Sequence, residues 1–261
     1  MEGPWRDEGQ ELTTNLSSKD MGTRFPAFRG IVEASGDSLR KRAPGAKPPT
    51  AEEVFAVSVS FTGRQLSDPY RATDTTLQRL GPHAWLSFQT WTGNYIQSPQ
   101  AGLFVQAVRR TSSGSCLPRL TSVTVPAPAE LSAAHADQVQ KLEQGQTFKN
   151  AATLLSMVDV QALPDGGIRV CNLLHVDPHV PRLVPSNIVQ GFIKSVPCRG
   201  AAYLDMALHL QLPLPLTPQG PLTQARQDTF EEVTINGRTC EVSRLLAGVV
   251  KDQETVQATK R

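Results

Sequence analysis

Cys171, His175, Asp177 and His179 stand close together in the stretch CNLLHVDPH. Thiolate, imidazole and carboxylate are all ligands that zinc accepts. In an extended strand the side chains alternate, so Cys171, His175 and Asp177 share one face. Pro178 ends such a strand and turns His179 elsewhere, leaving no fourth ligand in line. The spacing therefore predicts a turn that launches a packing helix, with no metal and no cofactor. Nucleophilic chemistry has no better support. TSSGSC, from Thr111 to Cys116, sets serine and cysteine beside glycine, but no GxSxG elbow occurs. Nor does a P-loop, a GxGxxG or an HExxH occur. The DGG at Gly166 has no helix directly after it, so it is a turn and not a phosphate cradle. No catalytic residue is assigned, and the chain is expected not to be an enzyme.

What remains is the chemistry of burial. Beyond Pro185, Ile188, Val189, Phe192, Ile193 and Val196 recur at i, i+1, i+4, i+5 and i+8, the stripe of an amphipathic helix. Ser186 can cap it, Pro197 should kink it, and helical composition resumes from about Ala201. Before it, Pro164-Asp165-Gly166-Gly167 is a turn between two strands. In the second strand Ile168, Val170, Asn172, Leu174 and Val176 share one face.

Upstream, VFAVSVSF alternates Val57, Val59 and Phe61 with Ser58 and Ser60, which predicts a strand or a helix-to-strand passage. TDTTLQRLG predicts a helix turn stopped by Gly81. The aromatic run with Trp85, Phe88, Trp91 and Tyr95 predicts strands around Gly93–Asn94. It lacks the interleaved basic residues of a base-stacking surface. Strands follow over Leu103–Val108 and LTSVTV, and PAELSAAHADQVQKLEQ predicts a helix ended by Gly145. Residues 1–50, rich in Gly, Pro and charge around Arg40, Lys41, Arg42 and Lys47, are expected to be a flexible tail, with FPAFRGIVEA, Phe25 to Ala34, a short apolar island that could dock on the domain. Residues 51–211 form the α+β domain. Residues 212–261 are a Pro-rich linker and a hairpin extension with its turn at Asn236–Gly237.

The whole chain bears on class. Its 261 residues, 39% hydrophobic, suffice for one sizeable core. A net charge of +2 gives no electrostatic footprint for nucleic acid. No apolar run approaches the roughly 18 residues of a membrane span, and the acidic start has no secretory h-region. Cys116, Cys171, Cys198 and Cys240 are scattered and read as buried thiols. A cytoplasmic setting is expected.

Residues 165–210 resemble the end of a START domain, the helix-grip family of lipid-transfer modules. The turn PDGG leads into the strand IRVCNLLHV, which closes on Asp177–Pro178. Leu183 or Val184, Pro185, Ile188 and Val189 then match the family's order of hydrophobic residue, proline and hydrophobic pair before the long helix. The resemblance implies an antiparallel sheet gripping a C-terminal amphipathic helix, with an apolar ligand between them and no covalent step. The implied ligand-binding residues are Trp85, Phe104, Leu174 and Val176 on the sheet and Ile188, Phe192, Ile193 and Val196 on the helix. A solid core with no cavity satisfies the same pattern. The expected function is thus a binding module for a lipid or other hydrophobic ligand. The alternative is a scaffold subunit meeting protein partners through the N-terminal tail and C-terminal extension.

Overall fold

The computed structural model describes residues 4–11, 13–42, 44–45, 47–60, 63–64, 68, 70–93, 98–112, 117–178, 184–209, 230–235 and 238–243. Three N-terminal strands, β1 (Arg6–Glu11), β2 (Thr14–Lys19) and β3 (Ala27–Ala34), precede helices α1 (Gly36–Arg42) and α2 (Ala51–Val59). Four long strands follow: β4 (Arg71–Gly81), β5 (Ala84–Trp91), β6 (Gln100–Ser112) and β7 (Pro118–Pro126). Short helices α3 (Ala129–Ala134) and α4 (Ala136–Glu143) lead to β8 (Lys149–Asn150), β9 (Thr153–Ala162) and β10 (Ile168–Val176). Helix α5 (Ser186–Ser195), a 3₁₀ turn (Pro197–Arg199) and α6 (Gly200–His209) come next, then the hairpin strands β11 (Phe230–Ile235) and β12 (Arg238–Ser243).

One antiparallel sheet runs β1-β2-β3-β10-β9-β7-β6-β5-β4, with β8 joined in parallel to β6. Its concave face holds Val32 and Ala34 of β3, Ile168 and Val170 of β10, Val158 and Val160 of β9 and Leu120 of β7. Against them pack α2 and α6, bringing Val54, Phe55, Val57, Tyr203, Leu204 and Ala207. This is the helix-grip α+β architecture expected from the sequence. Pro197 breaks the gripping helix as anticipated, and the break is fixed from below. A Cβ on Gly30 would stand 2.5 Å from the Pro197 carbonyl oxygen, so only glycine lets β3 pass so close. Asn172 Nδ2 donates to the same oxygen at 3.3 Å.

Three expectations change. The residues 1–50 expected as a tail are largely built into the sheet: β3 pairs with β10 from Ala34↔Ile168 to Phe28↔Leu174. Phe25 and Phe28 are fully buried. Composition averaged over the segment hid the alternation of Ala27–Ala34, whose partner lies far along the chain. VFAVSVSF begins as helix, not strand. Thr50 Oγ1 accepts from Glu53 N while Glu53 Oε2 accepts from Thr50 N, a reciprocal cap that ties the first turn. All residues from Glu53 to Val59 are buried, so alternation carried no information there. TDTTLQRLG is strand β4 rather than a helix turn, paired with β5. Its threonines suit a pleated surface, and Thr73 Oγ1 meets Thr90 Oγ1 across the pair at 2.7 Å.

The PDGG turn closes the β9–β10 hairpin, with Gly166 at φ 78°. The helix before β8 ends as expected, with Gln144 and Gly145 both at positive φ. It is interrupted at His135. β11 and β12 pair antiparallel; the expected turn at Asn236–Gly237 lies outside the described residues, as do Tyr95, Cys116 and His179.

Candidate functional site

The two halves of the broken helix meet different surroundings. α6 lies in the solid core, with Leu204 fully buried. α5 instead packs through Val189 and Ile193 on a separate small cluster made by Phe25, Phe28, Ala152 and Val176. Between the two cores the sheet and α5 stand apart and enclose a cavity of about 280 Å³. The gap follows from the sequence of the strands. Opposite α5, the inward positions of β5, β6, β7 and β9 are Gln89, Gln100, Thr124 and Ser156, which cannot interdigitate as an apolar core does.

Leu174 and Val176 form one apolar wall, and Ile188, Val189, Ile193 and Val196 of α5 form the roof. Five of the eight residues implied by the resemblance therefore line one cavity: Leu174, Val176, Ile188, Ile193 and Val196. Ile188 is 48% exposed and marks the open side. Trp85 and Phe104 are not on the wall. Trp85 is buried in the solid core with Val108 and the residues of α2. Phe104 stands behind the wall, edge-on to Trp91 with ring centroids 5.9 Å apart, and Trp91 itself lines the cavity. Both were implied by the resemblance as members of the aromatic strands, and a resemblance at that level does not tell where along a strand the core gives way to the cavity. The side chain of Phe192 lies outside the described residues.

Part of the cavity wall is ionic, a feature the sequence reading missed. Arg64, Asp68, Arg71 and Arg199 line it. Arg71 Nη2 donates to Asp74 Oδ2 at 2.7 Å, and Arg64 Nη1 lies 3.8 Å from the same oxygen. Arg199 Nη1 is 3.2 Å from Asp68 Oδ2. The Arg71 guanidinium also sits over the Trp91 ring, 5.3 Å from its centroid. Burial and the neighbouring charge of Arg71 hold the Arg64 pKa down to about 10, which still leaves it protonated at neutral pH. No sequence signal marks it: Arg71 and Asp74 lie three apart in β4, and only the structure shows that both are buried.

Of the cysteine and histidine cluster, Cys171, His175 and Asp177 are described and His179 lies outside the described residues. His175 is buried, and its Nε2 is 2.8 Å from Thr23 Oγ1 in the β2–β3 connection; burial pushes its pKa down. Cys171 and Cys198 are buried free thiols, and burial raises the Cys171 pKa. Among the described residues no group of three His, Cys, Asp or Glu side chains could hold a metal ion. None of their helices is long and apolar enough to cross a membrane.

No family model matches the chain, and no curated protein matches it by sequence. Solved structures do match in shape. Human StAR-related lipid transfer protein 5 superposes with a TM-score of 0.57 at 16% identity, covering 78% of this chain and 86% of its own. Human STARD10 gives 0.54 at 12% identity, covering 78% and 72%. The lipid transfer and protein localization domain of human StarD13 gives 0.52 at 13% identity, covering 77% and 89%. With its sheet order, its broken gripping helix and the cavity between them, this chain has the fold of the StAR-related lipid transfer, or START, domains.

Proposed function

We propose that the chain is a non-enzymatic module that takes up one lipid or other hydrophobic ligand between α5 and the sheet. The observation that carries this reading is the cavity itself, roofed by Ile188, Val189, Ile193 and Val196 and floored by strand residues that do not fill it. At about 280 Å³ it lies at the small end of ligand pockets. That size favours a single-chain or compact ring ligand over a two-chain phospholipid. The ligand's apolar body meets Leu174, Val176 and the α5 stripe, and its polar end meets the arginines. Binding needs no covalent step: shielding apolar surface from water supplies the driving force. The lipid transfer proteins among the similar structures support the same reading. The buried free thiols Cys171 and Cys198 favour a reducing, cytoplasmic setting.

Native mass spectrometry of the purified chain tests the proposal. The expected spectrum carries a lipid-sized adduct that organic extraction removes and that returns on exposure to vesicles. A bare mass that takes up neither fluorescent acyl nor sterol probes refutes it. A stable complex with other chains and no adduct would favour the scaffold reading instead.

A further inference from the structure

The roof and the floor of the cavity differ in chemistry. α5 presents hydrocarbon, through Ile188, Val189, Ile193 and Val196. The sheet opposite presents neutral hydrogen-bonding side chains, Gln89, Gln100, Thr124 and Ser156. Strand register sets most of these in one row. Thr124 of β7 lies opposite Ser156 of β9 on one side and Gln106 of β6 on the other. The row continues into β5, where Gln106 Nε2 and Gln89 Nε2 both donate to Ser87 Oγ, at 2.8 and 2.9 Å. Gln89, Thr124 and Gln100 are 2%, 6% and 7% exposed. The fold itself does not use their full hydrogen-bonding capacity. Gln100 Oε1 accepts from Ala152 N at 3.2 Å, which leaves its amide NH₂ over, and Gln89 keeps its amide oxygen. Among the described residues no group hydrogen-bonds the Thr124 or Ser156 hydroxyl.

Polar groups so deeply buried cost stability unless something hydrogen-bonds them. Here they border a cavity, so the molecule that fills it must answer them. A plain alkyl chain desolvates both hydroxyls and both amides and returns no hydrogen bond. A ligand that is polar on every side buries its far face under the hydrocarbon of α5. The two walls match a ligand that is amphipathic across its width rather than along its length.

We propose that the ligand is a rigid fused-ring molecule with hydroxyl groups along one face, seated with that face on the Ser156, Thr124 and Gln89 row and its hydrocarbon face under α5. Fused rings hold the two faces apart with little conformational entropy to lose on binding. A hydroxyl both donates and accepts, so it satisfies an amide NH₂, an amide oxygen or another hydroxyl. This rests on the lipid-binding reading above and narrows it to facially amphipathic ligands.

Three neutral steroids of one skeleton vary the face alone. 5β-Androstane-3α,7α,12α-triol carries its hydroxyls on one face, its 7β epimer moves one of them to the other, and 5β-androstan-3α-ol keeps one. Each competes against a fluorescent alkyl-alcohol probe on the full chain. The all-α triol is expected to bind at least about tenfold tighter than its epimer, and tighter than the less polar mono-ol. In the double variant Thr124→Val with Ser156→Ala, the lead over the epimer should shrink to within about threefold and the mono-ol should gain affinity. If triol and epimer bind alike, or the mono-ol binds tighter than the triol, the two-faced assignment is overturned while lipid binding stands. If the probe binds and no steroid displaces it, the fused-ring class is wrong and lipid binding again stands. If the double variant keeps the full lead, the row does not read the hydroxyls and the proposal fails. If neither the probe nor any steroid binds wild type, the lipid-binding reading falls and this proposal with it. Should the double variant not fold, the wild-type order decides alone.

Discussion

Ile193 and Leu204 belong to the two halves of one broken helix, and truncating each to alanine should give different answers. Both substitutions remove three carbon atoms, a transfer loss of about 2.4 kcal/mol at ~0.8 kcal/mol per methylene-sized group. Leu204 is fully buried in the solid core between α2 and the sheet. Its loss opens a new void there, and the cavity penalty brings the expected cost to about 3–4 kcal/mol. Ile193 is buried against Phe25, Phe28 and Val176 on one side only; on the other it faces existing empty space. Ile193→Ala enlarges a cavity that is already there, so little beyond the transfer loss is added and we expect about 2–2.5 kcal/mol. The reverse perturbation sharpens the contrast. Leu204→Trp should overpack and cost at least about 2 kcal/mol. Ile193→Trp should cost less than about 1 kcal/mol in the ligand-free chain while abolishing binding of a fluorescent alkyl probe. Urea unfolding monitored by circular dichroism reads the stabilities, and probe titration reads the site. Equal losses for Ile193→Ala and Leu204→Ala, or an unfolded Ile193→Trp, would show that the space beneath α5 is filled and that the reasoning is wrong.

Other perturbations test separate parts. Deleting residues 1–34 should abolish folding, because β3 pairs along β10 and Phe25 and Phe28 are fully buried; Phe28→Ala alone should cost about 3–5 kcal/mol in urea unfolding, and a folded, cooperative truncation would contradict the sheet order. Gly30→Ala should lower the melting temperature, since the new Cβ would overlap the Pro197 carbonyl; an unchanged Tm would mean that the helix break is not held there. His175 has a folded pKa below the usual 6.5, so the unfolded chain binds the proton first. Stability should therefore fall as pH drops below about 6.5, until the folded pKa is passed, and His175→Gln should flatten that part of a denaturation-versus-pH curve; an identical slope in the variant would assign the effect elsewhere. A chelator is expected to leave Tm unchanged, and a fall reversed by zinc would show that Cys171, His175 and their neighbours do bind metal.

The second half of the fold was legible because its signals are local. The PDGG turn, the alternation of Ile168–Val176 and the stripe of Ile188, Val189, Ile193 and Val196 each lie within one element or across one tight turn. The first half was not. β3 becomes a strand by pairing with β10, its alternation lying inside a segment of tail-like composition, and β4 by pairing with β5, with little alternation of its own. α2 is buried on nearly every side, so only its cap, Thr50 with Glu53, distinguished helix from strand. The site was legible on its apolar side for the same local reasons. Its ionic part was not, because Arg64, Arg71 and Arg199 come from three separate places and acquire meaning only where Asp68 and Asp74 meet them.

The pairing of β3 with β10 has a consequence for how the chain is made. A ribosome releases Phe25 and Phe28 early, yet Leu174 and Val176, against which that edge of the sheet closes, are synthesised last among the long strands. Until they emerge, β2 and β3 form a hairpin with an unpaired edge and two uncovered phenylalanines. Loop-closure entropy makes such distant pairing slow, and open edges invite association with other nascent chains. Vectorial synthesis thus leaves this protein dependent on its final third. A stalled or truncated product ending before Ile168 lacks the partner strand of β3 and leaves that edge uncovered.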